Sequence, residues 1–257
     1  MEIQADLHVH SYFSVDGQST LREMCLAAVE KGLRCICFTE HLDFNPQDQG
    51  YGFFDKSGFF QGIDALRQEF DGRLEILKGI EFGEPHAYPG EFEKASRENY
   101  DFILGSIHFV DGCFVGEPEL EQKYTKERIF AKYYEEVLAA VTFGGFDALA
   151  HFDFPKRYLG ESFPEMPVIG DIVAMMAKHK IALEINTSSI RKGLGECTPG
   201  LTVVQKFIDN GFDRVTIGSD AHRARDLAVG FPEAAELLGQ TKCTPGIFRQ
   251  REFVRCD

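Results

Sequence analysis

The chain alternates strand-like and helix-like stretches seven times, and its strand-like stretches keep ending on the same kinds of side chain. Ile3-Gln4-Ala5-Asp6-Leu7-His8-Val9-His10 alternates apolar and polar residues, the pattern of a half-buried strand, and closes on His-x-His. Side chains two apart leave a strand on one face, roughly 6–7 Å apart, so two imidazoles there can grip one ion. The stretches 34–41, 74–81, 101–108 and 147–151 close on His41, Glu81, His108 and His151. The stretch 214–222 ends in a second i, i+2 pair, Asp220 and His222. Only 181–186 departs from the rule, and it leads into a loop carrying Ser188, Ser189 and Arg191.

Helical patterns fill the gaps. Thr20-Leu-Arg-Glu23 is a capping box opening an amphipathic helix that stops at Lys31-Gly32. Further helices are predicted near residues 59–70, 90–99, 126–143, 169–179 and 202–210. The tail from Ala224 reads as one more helix and an irregular terminus. Strands alternating with helices predict a parallel sheet, and this many units predict closure into a barrel. A chain of 257 residues suits a single such domain, residues 1–257. In a parallel barrel the C-terminal strand ends form one face, so ligands far apart in sequence converge on one pocket.

Composition narrows the partners. The net charge of −14 argues against a nucleic-acid backbone or an anionic membrane as partner. An anionic substrate would have to be held by local arginine or metal. No run approaches the roughly 20 apolar residues of a spanning helix, and the first strand starts without a basic-then-apolar leader. A cytoplasmic protein is expected. The seven cysteines include no C-x-x-C pair, which predicts reduced thiols, with Cys35 and Cys37 in the core.

The candidate ligands are His8, His10, Asp16, His41, Glu81, His108, His151, Asp220 and His222. They offer nitrogen and oxygen but no sulfur, a donor set suited to Zn, Fe or Mn. Nine ligands are too many for one ion and predict a multinuclear centre bridged by a carboxylate.

Asp6-Leu-His8-Val-His10, Thr39-Glu-His41, Gly79-Ile-Glu81, Gly105-Ser-Ile-His108, His151 and Gly218-Ser-Asp220-Ala-His222 together resemble the PHP (polymerase and histidinol phosphatase) superfamily. Ala150-His-Phe-Asp-Phe-Pro-Lys-Arg157 and Glu184-Ile-Asn-Thr-Ser-Ser-Ile-Arg191 carry a closer resemblance to its histidinol-phosphate phosphatase branch. The resemblance implies a distorted seven-stranded (β/α)7 TIM-like barrel with three divalent transition-metal ions. His8, His10, Glu81 and Asp220 would hold the first ion. Glu81 would bridge to the second, held also by His108 and His151. Asp16, His41 and His222 would hold the third. Glu81, Asp220 and His222 are the implied catalytic residues. The implied reaction turns L-histidinol phosphate into L-histidinol and inorganic phosphate, as in histidine biosynthesis, with a hydroxide bridging two ions as nucleophile.

Arg157 and Arg191, on the loops after the fifth and sixth strands, are expected to bind phosphate, and His86 is a further candidate substrate contact. His86 and Asp153 are candidates to protonate the leaving alkoxide. Lys156 and Lys192 are expected to face solvent, and Glu40 and His179 to be structural. Phe53, Phe54, Phe59 and Phe60 are read as core or lid, with one able to stack on a substrate ring. Three rivals remain: a PHP phosphoesterase acting on nucleotides or phosphotyrosine, a non-catalytic PHP module, and an amidohydrolase-type enzyme. The last often bridges its metals with a carbamylated lysine, a position that Glu81 fills better here.

Overall fold

A computed structural model of the chain describes residues 2–256. Its core is a ring of parallel strands: β1 (Ala5–Val9), β2 (Cys35–Leu42), β3 (Glu75–Gly83), β4 (Phe102–Ser106), β7 (Ala148–Leu149), β8 (Ala182–Asn186) and β9 (Arg214–Gly218). A two-stranded hairpin, β5 (Phe109–Val110) and β6 (Cys113–Phe114), follows β4. The ring closes through the loop after β9, where Asp220 N donates to His8 O at 2.7 Å and His10 N to Ala221 O at 2.9 Å. This is the distorted barrel expected from the alternation, with β7 only two residues long.

The helices cover the outside. They are α1 (Leu21–Glu30), α2 (Lys56–Glu69), α3 (Pro89–Ser96), α4 (Pro118–Lys123), α5 (Lys126–Phe143), α6 (Lys156–Leu159), α7 (Val168–His179), α8 (Ser188–Arg191), α9 (Leu201–Asp209) and α10 (Phe231–Gln240). The capping box opens α1: Thr20 accepts from Glu23 N, and the Glu23 carboxylate accepts from Thr20 N at 2.7 Å. The predicted bounds of α5 match, because Thr125 caps its start and Gly144, at φ +72°, ends it. The short helices α4, α6 and α8 were missed, each being too brief to show a period.

The side chains of β1 do not follow simple alternation. Leu7 packs in the barrel interior with Cys35, Cys37, Leu77 and Phe102, yet the next residue, His8, also faces inward, above it. The three steps from Asp6 to Val9 on β1 match the two steps from Ile36 to Phe38 on β2, so β1 carries one extra residue. Such a bulge re-aims the strand, and it brings His8 and His10 over the floor of the barrel.

The tail departs further from expectation. After α10 comes an antiparallel hairpin, β10 (Thr244–Arg249) and β11 (Glu252–Arg255), and β10 adds to β9. Pro245 and Gly246 hid this strand from the sequence pattern. Ile247 and Phe248 plug the lower end of the barrel, and Phe248 stacks on Phe102 with ring centroids 5.2 Å apart. Phe248→Ala is expected to cost about 3–5 kcal/mol in urea unfolding, the usual loss for a buried aromatic ring. An unchanged midpoint would mean that the hairpin is an ornament rather than a plug. Among the described residues no helix is long and apolar enough to cross a membrane.

Candidate metal centre

All nine predicted ligands meet at the C-terminal end of the barrel. Glu81, at the end of β3 and 1% exposed, is the hub. Its Oε2 lies 3.1 Å from His8 Nε2, 3.4 Å from His10 Nε2 and 3.4 Å from His41 Nδ1. Its Oε1 lies 3.0 Å from His151 Nε2 and 3.4 Å from His108 Nε2. Asp220 Oδ1 stands 3.8 and 3.7 Å from the Nε2 atoms of His8 and His10, which are themselves 2.9 Å apart.

Among the described residues, four clusters have ligand atoms within 4.8 Å of one another: His8–His10–Asp220, Glu81–His108–His151, His10–His41–His222 and, at the edge of the cleft, Asp43–Asp48–His108. The third differs from expectation in including His10. Asp16 sits at its rim, 3.0 Å from His222 Nε2 and 3.7 Å from His41 Nε2.

The donor set fits divalent metal ions. Two ring nitrogens facing each other at 2.9 Å cannot both carry protons, so at least one presents a lone pair to the cluster. Burial works against ionised carboxylates, but His8 and His41 hold Glu81 well below the usual range, and Arg157 and His8 do the same for Asp220. Burial, reinforced by His222 and His41, pushes His10 well below the ordinary imidazole value. Anionic carboxylates and an unprotonated imidazole are what cation binding requires. Two of these residues also have strained backbones, His151 at φ +26° and Asp220 at φ +53°. Such conformations persist only where the surroundings enforce them.

Above the floor opens a cleft of about 390 Å³. Arg157, Ser188, Arg191 and Lys192 line it on the side of β7 and β8. Asp43, Gln47 and Asp48 from the β2–α2 loop, with Glu117, line it on the side of β2 to β4. The loop between β2 and α2 is thus part of the mouth. Asp43 is 5% exposed, its Oδ1 has no hydrogen-bond partner, and burial pushes its carboxyl up to about 7. No signal beyond loop composition marked Asp43 and Asp48 individually.

Both arginines reach the cleft. Arg157 is buried and donates to Ser188 Oγ at 2.6 Å, to Asn186 Oδ1 at 3.2 Å and to the Asp220 carboxylate. Arg191 donates to Ser219 O at 2.6 Å and Asp220 O at 2.9 Å, which braces the loop that carries Asp220.

Several expectations are corrected. Lys156 is buried and paired with Glu196, and Lys192 lines the cleft, so neither simply faces solvent. The short helices α6 and α8 turn them inward. Burial, with Arg157 nearby, lowers the Lys192 ammonium to about 8. His86 turns to Glu136 at 2.8 Å and does not line the cleft. Asp153 is fully buried outside the cleft lining, with both carboxylate oxygens unpartnered, and burial raises it to about 6. Phe59 is core and Phe54 and Phe60 pack against it, as expected, but none of them nor Phe53 lines the cleft, where the aromatic side chains besides histidine are Phe109, Phe114, Phe154 and Tyr158. Glu40 is structural: its carboxylate accepts from the backbone and hydroxyl of Ser11 and from Ser14 Oγ.

The fold and the clusters at its mouth define a barrel whose floor carries histidines and carboxylates grouped as metal ligands are. The chain belongs to the PHP domain family, whose sequence profile matches residues 6–188. It is 27% identical to a probable histidinol-phosphatase of Deinococcus radiodurans, over 96% of this chain and 97% of that protein. It is 28% identical to a histidinol-phosphatase of Lactococcus lactis subsp. lactis, over 91% of this chain and 89% of that protein. Its fold superimposes with TM-score 0.88 on a crystal structure of histidinol phosphate phosphatase from Lactococcus lactis subsp. lactis Il1403, complexed with zinc, L-histidinol and phosphate. That match has 25% sequence identity and covers 98% of each chain.

Proposed function

We propose that the chain, with residues 1–257 working as one domain, is a cytoplasmic metal-dependent phosphomonoesterase. It hydrolyses L-histidinol phosphate to L-histidinol and inorganic phosphate, within histidine biosynthesis. The carrying observation is the cleft's polarity: cationic side chains on one wall, carboxylates on the other, and a His/carboxylate floor between them. A phosphate ester whose alcohol bears a cationic amine matches that order. The names of the relatives above support the same substrate.

The floor would hold three divalent transition-metal ions, Zn, Fe or Mn. His8, His10, Glu81 and Asp220 take one position, Glu81, His108 and His151 the second, and Asp16, His41 and His222 the third. When bound, such ions neutralise phosphoryl oxygens and acidify water for attack. Glu81, Asp220 and His222 are catalytic in this reading because they touch the reacting centre through those positions. Arg157 and Arg191 orient the phosphoryl group, as paired guanidinium donors suit its oxygens. Lys192 adds charge beside them. Asp43, Asp48 and Glu117 face the leaving alcohol, and Phe154 and Tyr158 help to exclude water. Neither a nucleic acid nor a membrane has a place in this function.

A substrate panel tests the proposal. The expected kcat/KM for L-histidinol phosphate exceeds that for sugar phosphates, nucleotides and phosphotyrosine by at least about tenfold. A flat profile would move the assignment to a broader PHP phosphoesterase, and no hydrolysis at all would leave a binding module. Asp48→Asn refines the test. A hydrogen bond to a charged group is worth about 1.5–3 kcal/mol, so the variant should lose about 10- to 100-fold in kcat/KM on L-histidinol phosphate. On p-nitrophenyl phosphate, which lacks the amine, the loss should be far smaller. Equal losses on both would remove Asp48 from substrate selection.

A further inference from the structure

Glu184, in the middle of β8, lies outside the cleft lining, and its place in the sequence assigned it no role beyond opening a segment that carries the family resemblance. It is 1% exposed. A carboxylate buried so deeply is costly unless its oxygens are matched by donors. Here both are. Oε1 accepts from His8 Nδ1 at 2.5 Å. Oε2 accepts from the backbone N of His151 at 2.8 Å and from Asn186 Nδ2 at 3.1 Å.

These contacts close a loop behind the floor. In front, Glu81 gives Oε2 to His8 Nε2 at 3.1 Å and Oε1 to His151 Nε2 at 3.0 Å. Behind, Glu184 gives one oxygen to the ring of His8 and the other to the backbone of His151. The fit leaves no slack: a Cβ on Gly218 would lie 2.5 Å from Glu184 Oε1 and 2.3 Å from His8 Cβ. The His151 backbone that Glu184 holds is the strained one, at φ +26°.

We propose that Glu184 is a positioning residue for the metal centre. It fixes His8 in the tautomer with Nδ1 protonated, leaving the Nε2 lone pair for a metal ion. It also holds the left-handed turn at His151, and so sets the span between the two metal positions that share Glu81. The proposal rests on the reading of His8 and His151 as metal ligands. A residue that only filled the core would change stability without changing metal affinity. Loss of such an outer partner typically costs 10–100-fold in metal affinity.

The test is zinc titration of folded, metal-free protein against a competing chelator, for wild type, Glu184→Ala and Glu184→Gln. Wild type should bind tightly. Glu184→Ala should lose about 10–100-fold in affinity at the positions served by His8 and His151. Glu184→Gln should recover part of the loss, because an amide oxygen can accept at one contact but its NH2 cannot accept at the other. In ¹⁵N spectra of zinc-loaded wild type, the His8 Nδ1 proton should exchange slowly, and in Glu184→Ala quickly. If Glu184→Ala does not fold, the volume-matched Gln variant decides. Folded variants that bind zinc like wild type would overturn the role of Glu184 alone. A wild type that binds no zinc would overturn the metal reading itself.

Discussion

Removing the metal ions with a chelator is expected to abolish turnover, and Glu81→Gln is expected to come close to doing the same. Glu81 alone faces both halves of the floor, His8, His10 and His41 with one oxygen and His108 and His151 with the other. An amide of the same shape has one oxygen to give and no charge. One half of the floor would lose its donor, and the imidazoles would lose the anion that balances bound cations. Losing one well-placed electrostatic donor costs about 10²–10³ in rate, and a bridge between two sites should cost at least that. Zinc content should fall in the same variant. His179→Ala is the control, because His179 ends α7 against Gly144, away from the cleft lining. Its turnover per metal-loaded molecule should stay near wild type. Full activity in metal-free protein, or equal effects of the two variants, would sink the ligand assignment.

Arg191→Ala should lower kcat/KM by about 10²–10³, the cost of removing a fixed donor from developing phosphoryl charge. Arg191→Lys should recover only part, since an ammonium cannot copy a guanidinium's paired donors. Inhibition by inorganic phosphate should weaken in parallel, because the product uses the same contact. Two of Arg191's N–H groups are already committed to Ser219 O and Asp220 O. Metal content must therefore be read alongside. Unchanged content with the rate loss supports direct phosphate binding, whereas lost zinc would place Arg191's effect in the loop that carries Asp220. Near-normal kcat/KM and phosphate inhibition would make Arg157 the leading phosphate clamp.

Much of the site was legible because metal ligands sit where a simple rule puts them. A side chain at the C-terminal end of a barrel strand points to the common mouth, whatever its distance in sequence. His8, His10, His41, Glu81, His108, His151, Asp220 and His222 could be read from that rule, Asp16 from the loop after the first strand, and the resemblance to the PHP superfamily supplied the grouping. The errors fell on residues whose direction depends on short, aperiodic elements. Lys156 and Lys192 sit in or beside α6 and α8, four-residue helices that leave no periodic trace. His86 looked free to reach the site, but Glu136, fifty residues away in sequence, takes it instead.

The sequence by itself determined the alternation of strands and helices, the face on which the ligands gather and their nitrogen–oxygen donor set. Those are properties of local pattern, and local pattern is carried by neighbouring residues. The tertiary structure alone decided the β1 bulge that lets Leu7 and His8 both face inward, and the β10–β11 hairpin that plugs the barrel. It alone set the opposing charges of the cleft walls and the strut from Glu184 to His8 and His151. Each of these depends on contacts between residues far apart in the chain, such as Glu184 and His8, 176 positions apart. Such contacts exist only once the ring of strands has closed.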